Sequence, residues 1–126
     1  MPTRIQATGD SVSSGELQTF KARFFKALAH PTRIRILEIL VGGSRTVHEL
    51  QEALTIEQAA MSQQLAVLRN QGIVNTDKEG LAVRYSLRDP LIGELLQVAR
   101  RIFNNHLVSS GDLLRELRRE SRRKAP

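Results

Sequence analysis

Between residues 57 and 71 the chain runs EQAAMSQQLAVLRNQ, and two kinds of residue alternate there at helical spacing. Met61, Leu65 and Leu68 fall at i, i+4 and i+7 and predict a face turned to a core. On the other side stand Gln58, Ala59, Ser62, Gln63, Ala66 and Asn70, all small or polar and none charged. A solvated helix face is usually rich in Lys and Glu. These residues instead carry groups that meet base edges. A Gln amide pairs bidentately with adenine, a Ser hydroxyl bonds bases or phosphates, and an Ala methyl meets the thymine methyl. Small side chains also let a helix sink deep into a groove. The competing role is a neutral helix with no partner. Arg69 near the helix end is placed to reach a phosphate, and Lys78 and Arg84 beyond it to reach phosphates or the minor groove. For Arg69 an internal ion pair competes; for the other two an ordinary solvated turn competes, and Glu79 weakens their positive patch.

Flanking segments supply the elements that hold this face. A first helix over about 16–29 aligns Leu17, Phe20, Phe24 and Leu28. Pro31 suits the first position of a second helix, whose apolar face is Ile34, Leu37, Leu40 and Val41 and which Gly42-Gly43 ends. His30 just before it is expected to hydrogen-bond its start. Thr46-x-x-Glu49 is a capping box that opens a third helix, with Val47, Leu50 and Leu54 inward and a stop at Leu54-Thr55. The fourth helix runs to Gln71, and Gly72 ends it.

The period then falls to two. Ile73 to Lys78 reads as a strand, and Leu81, Val83, Tyr85 and Leu87 alternate with Ala82, Arg84 and Ser86 in a second. Lys78-Glu79-Gly80 is the expected turn of this hairpin. Asp89 and Pro90 open a long last helix with two apolar stripes, Leu91, Leu95, Val98, Ile102 and Ile92, Leu96, Ala99, Phe103. Two stripes need two covers, one from the same domain and one from a second subunit. After Gly111 a further helical stretch carries Leu113, Leu114 and Leu117 and a basic cluster of Arg115, Arg118, Arg119, Arg122, Arg123 and Lys124. Glu116 and Glu120 are spaced to pair part of that charge locally. The expected division is a disordered arm over 1–15, a core domain over 16–110 and a basic helical tail over 111–126.

Composition sets the bounds. A chain of 126 residues points to one domain with a real core, and a 4% aromatic content makes that core aliphatic and disfavours base-stacking platforms for single strands. Nineteen Lys and Arg against thirteen Asp and Glu give a net charge of +6, which favours a polyanionic partner, with solubility alone as the bland alternative. The absence of cysteine excludes disulfides, thiolate metal sites and cysteine nucleophiles. The first 15 residues contain no apolar signal-peptide core and no stretch reaches 18 apolar residues, so a cytoplasmic protein with no membrane association is expected. An enzyme is not expected: there is no Gly-rich phosphate loop, no metal set and no acid pair clustered with a histidine.

Three stretches together, FFKALAHPTRIRILEIL (24–40), TVHELQEALTIEQAAMSQQLAVLRNQGIV (46–74) and EGLAVRYSL (79–87), resemble the ArsR/SmtB family of winged-helix repressors over about residues 20–103. The resemblance implies a mainly α winged helix-turn-helix with a small β-hairpin wing (α-α-α-α-β-β-α). It implies a homodimer on an imperfect palindrome in double-stranded promoter DNA, with repression relieved by a signal. Dimer contacts are then expected from Leu17, Phe20, Phe24, Leu95, Val98, Ile102, Phe103 and His106. The DNA-contacting positions become Gln58, Ala59, Ser62, Gln63 and Gln64, with Glu57 where the family often has a capping Ser. The family's thiolate pair on the third helix corresponds to Thr46 and His48, and its last-helix metal pattern to Asp89, Leu91, His106 and Ser109. Neither ligand set is present. No cofactor is expected. His48 and His106 remain the metal candidates, against an exposed surface residue and an interface residue respectively. Sensing is left to an unusual metal set, a small organic ligand or a partner protein. A winged-helix protein-interaction module is the alternative to a DNA reader.

Overall fold

The computed structural model describes residues 14–106 and 111–124. Most of the arm expected over 1–15 therefore lies outside the described residues, and its last two residues, Ser14 and Gly15, belong to the first helix. Contacts divide the chain into two compact units, one ending at Arg88 and one beginning at Asp89.

The first unit holds α1 (Ser14–Leu28), α2 (Pro31–Val41), β1 (Arg45–Thr46), α3 (Val47–Leu54), α4 (Gln58–Asn70), β2 (Val74–Glu79) and β3 (Ala82–Leu87). Its helix starts follow from local chemistry. His30, extended at φ −154°, ψ 130°, caps α2 by accepting the Thr32 N–H on Nδ1 at 3.1 Å, as expected. Thr46 and Glu49 form the predicted reciprocal box: Thr46 Oγ1 accepts from Glu49 N at 3.1 Å and Glu49 Oε1 from Thr46 N at 2.8 Å. At the end of α4 the Gly72 N–H donates to Arg69 and the Ile73 N–H to Leu68, a Schellman closure with Gly72 at φ 71°.

The core gathers Ala27 and Leu28 from α1, Ile36, Leu37 and Leu40 from α2, Leu50 and Leu54 from α3, and Met61, Leu65 and Leu68 from α4, closed by Ile73 and Val74. All are apolar, so burial stabilises by roughly 1.5–3 kcal/mol for each large side chain. Two positions depart from expectation. Ile36 is fully buried, whereas Val41 is 45% exposed at the last turn of α2.

The sheet is three-stranded in the order β1-β3-β2, not a bare hairpin. Arg45 and Thr46 pair antiparallel with Tyr85 and Arg84. Two residues are too few to show a period, so this strand left no pattern in the sequence. The hairpin turn also lies later than Lys78-Glu79-Gly80. Glu79 pairs with Ala82, so Gly80-Leu81 is a two-residue turn, with Gly80 at φ 65° supplying the left-handed conformation. Leu81, expected on the half-buried side of β3, is therefore fully exposed in the turn.

The second unit is a pair of helices, α5 (Leu91–His106) and α6 (Gly111–Lys124). Asp89 Oδ1 accepts from Leu91 N at 2.9 Å and starts α5 as predicted. Arg100 of α5 joins the pair by donating to Glu120 Oε1 at 2.9 Å, to Leu117 O at 3.3 Å and to Ser121 Oγ. Thus α5, expected within a 16–110 domain, shares its unit with the basic segment after Gly111. Among the described residues no helix is long and apolar enough to cross a membrane.

Candidate nucleic-acid interface

Two short helices joined by Thr55-Ile56-Glu57 position the polar face. α3 is pinned at its start by the capping box and ends on Thr55, which is left-handed at φ 53°, ψ 54°. α4 follows at once with Glu57 as N-cap. The Glu57 side chain makes no capping hydrogen bond, so the first N–H groups of α4 are left to solvent or to a ligand. Because Met61, Leu65 and Leu68 are buried, the opposite side is presented outward, and Gln58, Ala59, Ser62, Gln63 and Asn70 are exposed with Ala66 half-buried. None carries a charge.

Gln64 is set apart from this row. It is half-buried, and its Oε1 accepts from Arg33 Nη1 at 2.8 Å. Arg33 also donates through Nε to Ala27 O at 2.6 Å and through Nη2 to Lys26 O at 3.3 Å. One guanidinium on α2 therefore closes the C-terminal carbonyls of α1 and steadies α4. Gln64 lies three residues after Met61 and four before Leu68, on the flank of the core stripe, a spacing that marks it as inward. Arg33 shows the same signal, standing three, four and seven residues before buried Ile36, Leu37 and Leu40.

The three cations differ. Arg69 is exposed at the last turn of α4. Lys78 is exposed on β2 opposite Val83, between Asp77 and Glu79. Arg84 is committed within the protein: Nη1 donates to Ser44 O at 3.3 Å and Ser44 Oγ at 3.2 Å, Nη2 meets Glu79 at 3.3 Å, and Glu49 lies at 3.9 Å. It ties β3 to the segment before α3. Glu49 feels it in turn. The Thr46 N–H holds the Glu49 carboxyl below the ordinary glutamate value against some desolvation, and Arg84 and Arg45 lower it further.

The dimer candidates are outward where they are described. Leu17, Phe20, Val98, Ile102 and Phe103 are between 43% and 67% exposed, His106 is exposed, and Phe24 and Leu95 are half-buried. Phe25, not anticipated, is 56% exposed and meets Phe24 edge to face at 5.4 Å. His48 Nε2 faces only Glu52 at 3.5 Å on the surface, and among the described residues no three His, Cys, Asp or Glu side chains come together.

A capped helix, a short turn, a second helix with an outward uncharged row, and a three-stranded wing define a winged helix-turn-helix DNA-binding protein. Residues 30–76 match the model of the bacterial regulatory proteins of the arsR family. The HTH-type transcriptional regulator Rv0081 of Mycobacterium tuberculosis is 45% identical over 108 residues, 85% of this chain and 95% of that protein. Its crystal structure overlays with a TM-score of 0.70 at 47% identity, covering 75% of this chain and 95% of that one. The chain belongs to the arsR family and is a DNA-binding transcriptional regulator. A probable mercury resistance operon repressor of Streptomyces lividans is 40% identical over 79 residues, 63% of each protein. The homodimeric winged helix-turn-helix DNA-binding domain of Mb0332 from Mycobacterium bovis, solved in solution, overlays with a TM-score of 0.70 at 28% identity, covering 80% of this chain and 94% of that one.

Proposed function

We propose that the chain is a homodimeric repressor that lays α4 in the major groove of each half of a palindromic promoter site. The observation that carries this reading is the exposed, uncharged row Gln58, Ala59, Ser62 and Gln63 at the N-terminal half of α4. Gln and Ser supply base-edge hydrogen bonds, the two small residues allow close approach, and the N–H groups at the start of α4 suit a phosphate. Arg69 and Lys78 contact the backbone. Arg84 holds the wing in place, and Gln64 holds α4. A protein-docking face would carry apolar or aromatic anchors, and this row has none. The repressor name of the Streptomyces relative and the homodimer of the Mycobacterium bovis domain support the assembly and the sign of regulation. Work on a bacterial promoter implies a cytoplasmic protein.

The test is a footprint and a gel shift on the promoter upstream of the chain's own gene. Protection of a palindrome that survives competitor DNA is expected, and binding no tighter than to random DNA overturns the reading. Gln63→Ala should weaken operator binding by about 1–3 kcal/mol and relax preference at one base pair. Transcription in vitro from that promoter should fall as protein is added, and a rise instead makes the chain an activator. Adding metal ions, then cell-extract small molecules, then protein fractions to the complex identifies what releases it.

A further inference from the structure

Leu81 stands at the apex of the wing with its whole side chain in water. The two-residue turn makes its left-handed demand on Gly80, at φ 65°, and asks nothing of position 81, where a polar residue would be ordinary. The shaft beneath is polar: of β2 only Val74 is buried, and Asn75, Thr76, Asp77, Lys78 and Glu79 are exposed. A protein-docking face gathers several apolar anchors, whereas this leucine stands alone on a polar stalk. A narrow slot suits it better than a flat surface. Three features aim it at the minor groove. The five steps from Val74 to Glu79 span about 17 Å, which is also half of a B-DNA turn of about 34–36 Å, so the wing is long enough to pass from the groove that holds α4 to the next one. The tip is slender, because Gly80 adds no side chain beside Leu81 and its surroundings are open. Charge is sorted across the shaft. By register Asp77 and Glu79 share the face of Arg84, which holds Glu79 Oε1 at 3.4 Å through Nε and 3.3 Å through Nη2, while Lys78 lies on the other face, where a phosphate can meet it.

We propose that Leu81 is an apolar wedge, which enters the minor groove flanking each half-site and partly unstacks one base step there. The proposal rests on α4 lying in the neighbouring major groove. Leucine is among the side chains that open base steps from the minor groove, and the apolar surface that Leu81 leaves in water is then buried against sugars and bases. The opened step has to be deformable, and pyrimidine–purine steps, TA and CA/TG, yield most easily. Leu81 therefore adds sequence preference at positions that α4 does not touch, through DNA shape and without base-edge hydrogen bonds. Arg84, bonded to Ser44 at the root of the wing, keeps the wedge from swinging away.

The experiment selects bound duplexes from a pool with a fully randomised centre, using the full chain as wild type, Leu81→Ser and Leu81→Met. All three should recover the same palindromic core. Wild type and Leu81→Met should also enrich a TA or CA/TG step at a fixed distance outside each half-site, and Leu81→Ser should lose that enrichment. On the duplex that wild type selects, Leu81→Ser should bind about tenfold more weakly. The adenine analogue 2-aminopurine, whose fluorescence stacking quenches, should brighten in the flanking step with wild type and stay dark with Leu81→Ser. Position 81 is exposed, so neither substitution disturbs packing, and equal urea midpoints check this. A common core with identical flanks in all three proteins, or equal affinity of Leu81→Ser, overturns the wedge and leaves the repressor reading standing. Recovery of no core by any of the proteins overturns both.

Discussion

Arg33 Nη1 donates to Gln64 Oε1 at 2.8 Å, joining α2 to α4 across 31 positions of sequence. The same guanidinium closes Ala27 O and Lys26 O at the end of α1, so the orientation of α4 is tied to the end of α1 through one side chain. Replacing Arg33 by Ala leaves two carbonyls and the Gln64 amide without their donor and should cost about 1.5–3 kcal/mol in urea unfolding. Gln64→Ala removes one bond and should cost about 1 kcal/mol. If the two act as a pair, the double variant loses less than the sum of the singles by at least about 0.5 kcal/mol. Strict additivity would show that Arg33 serves α1 alone. Operator affinity should fall in Gln64→Ala with no single base pair relaxed, unlike Gln63→Ala, because Gln64 steadies the helix.

Thr55 sits in the left-handed region at φ 53°, ψ 54°, where a β-branched residue is a true outlier. The conformation lets its N–H close α3 on Gln51 O at 2.7 Å and turns the chain into α4 within three residues. The strain costs about 1–2 kcal/mol, and glycine would return about 0.5–1 of the gain as backbone entropy. Thr55→Gly should therefore raise stability by about 0.5–1 kcal/mol, read as a higher urea midpoint at constant m. A lower midpoint would mean that the threonine side chain stabilises the turn in a way its exposure does not suggest.

Local chemistry was legible in the sequence, and long-range pairing was not. The capping box needs only Thr46 and Glu49, and His30 needs only Thr32, so both could be named from spacing. The stripe of Met61, Leu65 and Leu68 fixed which side of α4 is inward, and with it the outward row. Nothing near Arg84 in sequence shows its bond to Ser44, forty positions away. The family resemblance groups Gln64 with Gln63, although spacing alone places Gln64 beside the core stripe. The hairpin turn moved because two overlapping segments contain Gly80, and only the Glu79–Ala82 pairing separates them.

Glu49 gives the fold an acid-side dependence whose sign is fixed by its shift. Its carboxyl is held below the ordinary glutamate value, first by the Thr46 N–H and then by Arg84 and Arg45. A lowered folded pKa means that the unfolded chain takes up the proton first. The contribution is complete above the unfolded glutamate pKa and is lost as pH falls through the lower folded one. Glu49→Gln should accordingly destabilise the protein by a constant amount at neutral pH, with the gap to wild type closing only at pH below the usual glutamate range. Urea midpoints for the two proteins between pH 3 and 7 test this. A gap independent of pH would show that the charge of Glu49 has no part in it.

The proposed dimer rests on apolar residues that a lone protomer leaves in water. Phe20 of α1 is 67% exposed, and Ile102 and Phe103 of α5 are 58% and 56% exposed. Leu17 adds to the exposed apolar surface of α1, and Val98 to that of α5. A charge at the centre of an apolar interface is desolvated without a partner, so Phe103→Glu should weaken the dimer by about 3 kcal/mol, a loss of over a hundredfold in affinity. Sedimentation equilibrium should show a monomer at concentrations where wild type is dimeric. The residues that pack the first unit, from Leu37 to Ile73, are untouched, so its far-ultraviolet circular dichroism should be retained. Operator binding should then weaken steeply, because each half-site is held by one protomer and the second contact is no longer intramolecular. Phe20→Glu should act alike if α1 and α5 share the interface. A dimer that survives both substitutions would remove these helices from it.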